Sequence, residues 1–330
     1  MLLLTGATGY LGSQIARELI TRREPFRVLV REASRLPFDP GRSSCEVARG
    51  DLRDREALRA ALEGVEAVIH TAALVKAWVR DRRDYWRVNV EGLQNLVHAA
   101  AEAGVRRVVY TSSFMALGPS ADVNADERLR HAGPFANEYE ETKAQALAWL
   151  RREGHGQCPV IVLLPGVIYG PGPKTEGNLV GGMIDQYLAG KFPGVLGSGH
   201  QRWSFAFNAD VVSAHLAALE KGRPGEGYLL GGDNRSLHDF FQVLAESTEV
   251  RRPVRHIPFV AGKILGGVEL ARARMFGHTP QLTPGIVEIF KHDWVYASAK
   301  AIRELGYRVT PLEEGLRKTL QERTPPGNPL

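Results

Sequence analysis

Leu2-Leu3-Leu4-Thr5-Gly6-Ala7-Thr8-Gly9-Tyr10-Leu11-Gly12 opens the chain as a short apolar strand that runs straight into a glycine-rich turn. A helical pattern continues through Ile15, Ala16, Leu19 and Ile20. Strand, glycine turn and helix in that order build a phosphate cradle. Gly6 permits the tight turn, Gly9 lets backbone approach a pyrophosphate, and Gly12 allows close packing of helix on strand. The helix N-terminus then faces the anion with free N–H groups and a partial positive charge. The stretch predicts a dinucleotide site, with Gly6, Thr8, Gly9, Tyr10, Leu11 and Gly12 at the cofactor.

Working outward, Phe26–Val30 is a second strand, and Arg31 stands at its end. An acidic residue about 20 positions beyond the glycine loop would bind the ribose 2′-hydroxyl of NAD; an arginine there suits the 2′-phosphate of NADP. Arg31, assisted by Arg35, therefore points to NADP, with NAD left open. Further strands are expected at Cys45–Ala48, Ala67–Ile69, Arg107–Tyr110 and Val160–Leu164. Helices are expected up to Leu62 and from about Asp84 to Ala103. This alternation predicts an α/β fold with a doubly wound parallel sheet and right-handed crossovers.

Tyr139 and Lys143 are four residues apart in a predicted helix from Phe135 to Arg152, so both lie on one face. An ammonium beside a phenol favours the phenolate, and a tyrosine tuned that way can pass a proton to an oxygen in reach. Such a pair is common on solvated helices and gains its meaning from the glycine loop. Ser112 and Ser113 follow the fifth strand, where a hydroxyl can reach the same oxygen.

The Gly-x-x-Gly-x-x-Gly spacing together with Tyr139 and Lys143 resembles the extended short-chain dehydrogenase/reductase family, the NAD-dependent epimerase/dehydratase group, over nearly the whole chain. The resemblance implies a Rossmann-like sheet with a smaller, interleaved C-terminal substrate lobe. It implies Ser113, Tyr139 and Lys143 as the catalytic set, with Lys143 also holding the nicotinamide ribose. It places Asp51 and Leu52 beside adenine, Ala72 and Ala73 on the cofactor wall, and Pro165 among the cofactor neighbours. Asn89 is expected to support the catalytic geometry or to be an ordinary internal polar residue; Asp51 also suits a helix N-cap. His70 is expected to be packed rather than catalytic.

Residues 1–165, with about 208–232 returning to them, are expected to form the NADP-binding domain, and 166–207 with 233–330 the substrate lobe. Gly227–Leu230 is the returning strand, and helical patterns appear at Asp210–Leu219, Leu237–Ala245, Val260–Arg274, Thr283–Phe290 and Ala297–Leu305. Sugar-nucleotide members of the family usually carry arginine and asparagine before the turn that reads Tyr169-Gly170-Pro171-Gly172 here; Leu164 and Val167 stand in those places. Trp203 replaces a diphosphate-gripping arginine, with Arg202 beside it, and Phe114-Met115 replaces the acidic residues of dehydratases. Apolar groups cannot answer a diphosphate. With Trp78, Tyr169 and Phe205 as further candidate linings, the pocket is expected to take an apolar ketone or alcohol, as in the dihydroflavonol 4-reductase and 3β-hydroxysteroid dehydrogenase branch. The alternatives are a sugar-nucleotide epimerase or dehydratase with bound NAD, and a non-enzymatic NADP-binding sensor.

The chain has 330 residues, 44% of them hydrophobic, enough for one large core or two unequal ones. Its +5 formal charge is dispersed among acidic residues, which argues against a nucleic-acid surface. Two cysteines, Cys45 and Cys158, suggest a reducing compartment and no metal cluster. The apolar start is too short for a signal or span. A cytoplasmic enzyme is expected, with a small-molecule substrate, no metal, no membrane partner and a homodimer as a compatible assembly.

Overall fold

The computed structural model describes residues 1–31, 36–42, 44–248 and 250–323. The first half runs β1 (Leu2–Thr5), α1 (Tyr10–Thr21), β2 (Phe26–Val30), β3 (Cys45–Arg49), α2 (Arg55–Leu62), β4 (Ala67–His70), α3 (Arg83–Trp86), α4 (Gly92–Glu102), β5 (Arg107–Thr111), α5 (Glu138–Arg152) and β6 (Val160–Pro165). The second half adds β7 (Val167–Tyr169), α6 (Leu179–Leu188), β8 (Val195–Leu196), β9 (Arg202–Phe207), α7 (Asn208–Lys221), β10 (Gly227–Leu230), β11 (Asp233–Ser236), α8 (Leu237–Thr248), β12 (His256–Ile257), α9 (Phe259–Phe276), α10 (Pro284–Ile289), α11 (Ala299–Leu305) and α12 (Leu312–Gln321).

Seven parallel strands form the main sheet in the order β3-β2-β1-β4-β5-β6-β10. Both faces are covered, so the strands read as continuous apolar runs. Successive residues enter opposite cores: Leu3, Val68 and Val108 face α2, α4 and α5, while Leu4, Ile69 and Val109 face α1 and α7. The strand order reverses beside β1, which opens a crevice beyond the carboxyl ends of β1 and β4. β10 returns to this sheet beside β6, at Gly227–Leu230.

Several local expectations change. A π-helical turn at Arg87–Glu91 links α3 to α4, so the predicted long helix is not regular throughout. Asp54, rather than Asp51, caps α2, accepting from the N–H groups of Glu56 and Ala57. β9 pairs with β7 and β11 in a second sheet of three strands, and α6 and α12 are helices beyond those expected from the sequence. Alternating aromatics there reflect burial: Tyr169 and Phe205 are fully enclosed, with Phe205 stacked on Phe240 at 5.2 Å. Trp203 lies against Phe290 at 4.8 Å and Trp294 at 6.2 Å. Tyr169, Phe205 and Trp203 are thus core residues rather than open linings of a pocket.

Candidate active site

The glycine turn is set by contacts that leave no room for a side chain. Gly6 has φ +80°, and a Cβ there would meet the Thr71 hydroxyl at 2.5 Å and the Ala72 nitrogen at 2.6 Å. A Cβ on Gly12 would meet the Gly6 carbonyl oxygen at 2.2 Å. The loop after β4 is drawn in by Thr71, whose hydroxyl donates to the Thr5 carbonyl at 2.8 Å. Gly9 is the N-cap of α1 and offers no side-chain cap to the first-turn N–H groups. A Cβ on Gly9 would approach only the Gly6 carbonyl, at 3.3 Å, so its other side is open. A bare helix N-terminus behind such a cradle fits a pyrophosphate.

The expected cofactor residues differ in what they present to this crevice. Thr8 is exposed at the turn, while Leu11 is buried. The Tyr10 side chain points elsewhere, donating to the Gly170 carbonyl at 2.9 Å, so only its backbone is available at the cradle. Burial raises the Tyr10 phenol well above its ordinary pKa. Ala72 and Ala73 lie half-buried after β4, beside Gly6. Arg31 is exposed at the end of β2; Arg35 lies outside the described residues. Asp51 pairs with Arg53 at 2.8 Å, and that bond, assisted by the charge of Arg31, holds its carboxyl below the usual range. Leu52 is buried against α4, where a Cβ on Gly92 would meet it at 3.1 Å. Pro165 is buried at the end of β6, paired with Leu230.

The second cluster forms where α5 crosses the end of β5. Asn137 caps α5 by accepting from the Glu140 N–H, and Glu140 reaches back to accept from the Ala136 N–H at 2.7 Å. This reciprocal capping, with a buried His131–Glu140 contact of 2.6 Å, fixes the turn that carries Tyr139. Lys143 is 2% exposed, and its ammonium donates to the Thr111 carbonyl at 3.0 Å. Its Nζ stands 5.1 Å from the Tyr110 ring centre and 5.9 Å from that of Tyr139. Burial pushes Lys143 down to about 7. Tyr139 keeps part of its surface open, yet the atoms packed around its phenol push it up to about 12, opposed by a hydrogen bond with Ser113. The expected lowering of the Tyr139 pKa is therefore reversed in the chain alone. Desolvation of the phenolate outweighs the Ser113 hydrogen bond that opposes it.

Ser112 and Ser113 separate cleanly. Ser113 lies on the Tyr139 side and also accepts from the Met115 N–H at 3.2 Å, whereas Ser112 lies against Tyr110. Phe114 follows, edge-on to Trp294 and Tyr296 at 5.4 and 5.6 Å.

Asn89 sits in the π-helical turn, buried, and clamps two sides of the site. Its carbonyl accepts from the Leu74 N–H at 2.7 Å, and its amide donates to the Thr142 hydroxyl at 3.1 Å. It thus joins the loop after β4 to α5 next to Lys143. His215 was not singled out from sequence, yet it bonds the Thr111 hydroxyl at 2.8 Å and the Val211 carbonyl at 2.8 Å, bracing the strand end that holds Lys143. His70 is packed as expected, its Nδ1 2.6 Å from the Thr5 hydroxyl, and burial lowers it to about 3. A cleft of about 620 Å³ lies farther along α5, lined by Arg130, Arg151 and Lys300 and by none of Ser113, Tyr139 or Lys143.

Residues 2–231 match the model of the NAD dependent epimerase/dehydratase family. The chain is 35% identical to sterol demethylase protein B of Methylococcus capsulatus over 92% of both chains. It is 29% identical to a 3β-hydroxysteroid dehydrogenase/Δ5→4-isomerase of Mycobacterium tuberculosis, over 92% of this chain and 85% of that one. The UDP-glucose 4-epimerase of Thermotoga maritima, solved with UDP-glucose, shares the fold at a TM-score of 0.75 and 22% identity, over 97% of each chain.

Proposed function

The chain belongs to the NAD-dependent epimerase/dehydratase family, and from that premise we propose an NADP-dependent oxidoreductase that reduces the carbonyl of a small, largely apolar substrate or oxidises the matching alcohol. One observation carries the reading. The Ser113 hydroxyl, the Tyr139 phenol and the enclosed Lys143 ammonium converge at the end of β5, in the same crevice region as the glycine cradle. In this reading the cofactor lies on residues 1–165 with 208–232, and the substrate on 166–207 with 233–330.

A reduced nicotinamide held in this crevice would supply the hydride for the carbonyl carbon. Tyr139, whose phenol stays protonated at neutral pH, gives its proton to the carbonyl oxygen, completing the alcohol. Ser113 donates a hydrogen bond to the oxygen as negative charge develops there, a contribution that grows in a water-poor site. Lys143, whose pKa burial lowers and whose ammonium lies 5.9 Å from the Tyr139 ring centre, would set the charge beside Tyr139 and hold the nicotinamide ribose. Gly6, Gly9 and Gly12 would hold the pyrophosphate, while Arg31 would offer a planar, permanent charge to a 2′-phosphate. The apolar substrate class is supported by the lack of polar groups at Val167, Trp203 and Phe114, where nucleotide-sugar enzymes carry them, even though Trp203 and Phe114 pack in the core. The sterol and hydroxysteroid names of two relatives support it as well.

The test is NADPH oxidation with aromatic, steroid-like and acyl ketones, with UDP as competitor. Turnover of an apolar ketone untouched by UDP is expected; micromolar inhibition by UDP would instead favour a nucleotide-sugar substrate with bound NAD. Arg31→Ala is expected to cost roughly 10- to 150-fold in NADPH affinity and leave NADH binding nearly unchanged. Equal affinities of the unmodified chain for both cofactors would remove the NADP assignment.

A further inference from the structure

Helix α9 is turned inside out. Its buried residues are Gly262, Gly266 and Ala273, which let the backbone lie close against α10 and its neighbours. A Cβ on Gly266 would meet Thr283 and Pro284 backbone atoms at 2.8 and 3.0 Å. The large apolar residues face the other way: Val260, Ile264, Leu265, Val268, Met275 and Phe276 are 53–74% exposed. At about 100° per residue they fall within an arc of roughly 160°. Monomeric proteins rarely leave so large an apolar face bare.

The segment that carries this face is basic in sequence. Residues 251–280 carry Arg251, Arg252, Arg255, Lys263, Arg272 and Arg274 against the single acid Glu269, a net +5 equal to that of the entire chain. Lys263 pairs with Glu288 at 2.8 Å and Arg272 lies 3.9 Å from Glu269; Arg251, Arg255 and Arg274 are exposed. The helix is not a span, since no helix among the described residues is long and apolar enough to cross a bilayer. An exposed apolar helix face on a segment of net positive charge suits a helix that lies in a membrane interface.

We propose that α9 docks the protein on an anionic lipid bilayer, with Val260, Ile264, Leu265, Val268, Met275 and Phe276 entering the acyl boundary and the neighbouring arginines meeting lipid phosphates. This revises the expectation that the chain has no membrane partner. Behind the docked face, α9 packs on α10, and Gly285 of α10 packs so tightly on the residues leading into α5 that a Cβ there would lie 2.4 Å from the Ala136 carbonyl.

Co-sedimentation of the full-length protein with phosphatidylcholine vesicles, with and without phosphatidylglycerol, tests the proposal. Binding to the anionic vesicles is expected, weaker on neutral ones and weaker as salt rises. The exposed double variant Ile264→Asp/Val268→Asp is expected to bind roughly tenfold less or worse at an unchanged melting temperature. If that variant fails to fold, Met275→Ser/Phe276→Ser at the helix end gives the same reading. No binding to anionic vesicles, or binding that a folded variant leaves untouched, overturns the proposal. So does a dimer in sedimentation velocity that the variant splits, because the face would then be a contact between two copies.

Discussion

Helix α5 carries Glu140, Thr142 and Lys143 into the interior, whereas α9 holds glycine and alanine inside and turns valine, isoleucine, methionine and phenylalanine to solvent. Each reverses the ordinary amphipathic partition, and in opposite senses. The polar groups inside α5 have named partners: Asn89 for Thr142, His131 and the Ala136 N–H for Glu140, the Thr111 carbonyl for Lys143. The apolar groups outside α9 are more than half exposed among the described residues. Departures from local consistency concentrate where a protein acts on something else. In α5 the departure is satisfied internally and leaves one phenol facing a crevice; in α9 it is left for an external surface to satisfy.

The sharpest way to break this contrast is at Tyr139. Tyr139→Phe retains the ring and removes the proton, so ketone turnover should fall about 10²–10⁴-fold while cofactor binding persists. Ile264→Asp on α9, assayed with a water-soluble ketone in the absence of lipid, should leave turnover unchanged. Steady-state rates and cofactor titrations separate the two. Near-native turnover by Tyr139→Phe would remove α5 from the chemistry.

A smaller effect should appear in the stability of the cofactor-free chain. Lys143 is pushed down from 10.5 to about 7 by burial. Below about pH 7 the lysine is charged in both folded and unfolded chains, and the cost of enclosing that charge is fully present. Between pH 7 and 10.5 the unfolded chain holds a proton that the folded chain has released, so wild-type stability rises with pH. Lys143→Met lacks this dependence. Its advantage over wild type should be greatest near pH 6 and shrink by a few kcal/mol towards pH 10, as read from denaturant unfolding. A difference independent of pH would mean that Lys143 is not desolvated.

What could be read beforehand follows from the range of the interactions. The glycine turn, the parallel sheet and the Tyr139–Lys143 face depend on spacings of three or four residues or on a strand-and-helix alternation, all visible in one dimension. Ser113 was separable from Ser112 only by resemblance, because which hydroxyl faces Tyr139 depends on how the chain leaves β5. The roles of Asn89 and His215 depend on partners 53 and 104 positions away, which no local pattern announces. Trp203, Tyr169 and Phe205 suggested a pocket because an aromatic in a core and one in a binding site look alike in sequence. Helix α9 was legible as a helix; its apolar residues run nearly all round, so only the packing of Gly262 and Gly266 on their neighbours shows which side faces out.

The smallest expected effect separates the two sides of α9. Val268 is 53% exposed, so Val268→Ser removes little packing and replaces one middling helix former with another. Unfolding free energy in the absence of lipid should move by no more than about 0.5 kcal/mol. Gly266→Ala, two residues earlier, inserts its methyl within 3.0 Å of the Thr283–Pro284 backbone and should cost about 1–3 kcal/mol, although alanine is the better helix former. Denaturant unfolding of the two variants side by side reads the helix orientation directly, without substrate, cofactor or membrane. A Val268→Ser loss as large as that of Gly266→Ala would mean that the outer face already packs against protein in solution. A harmless Gly266→Ala would mean that α9 does not lie close on α10. With the expected asymmetry, the large apolar side chains of α9 contribute almost nothing to folding, and their service must be sought at a surface the chain meets from outside.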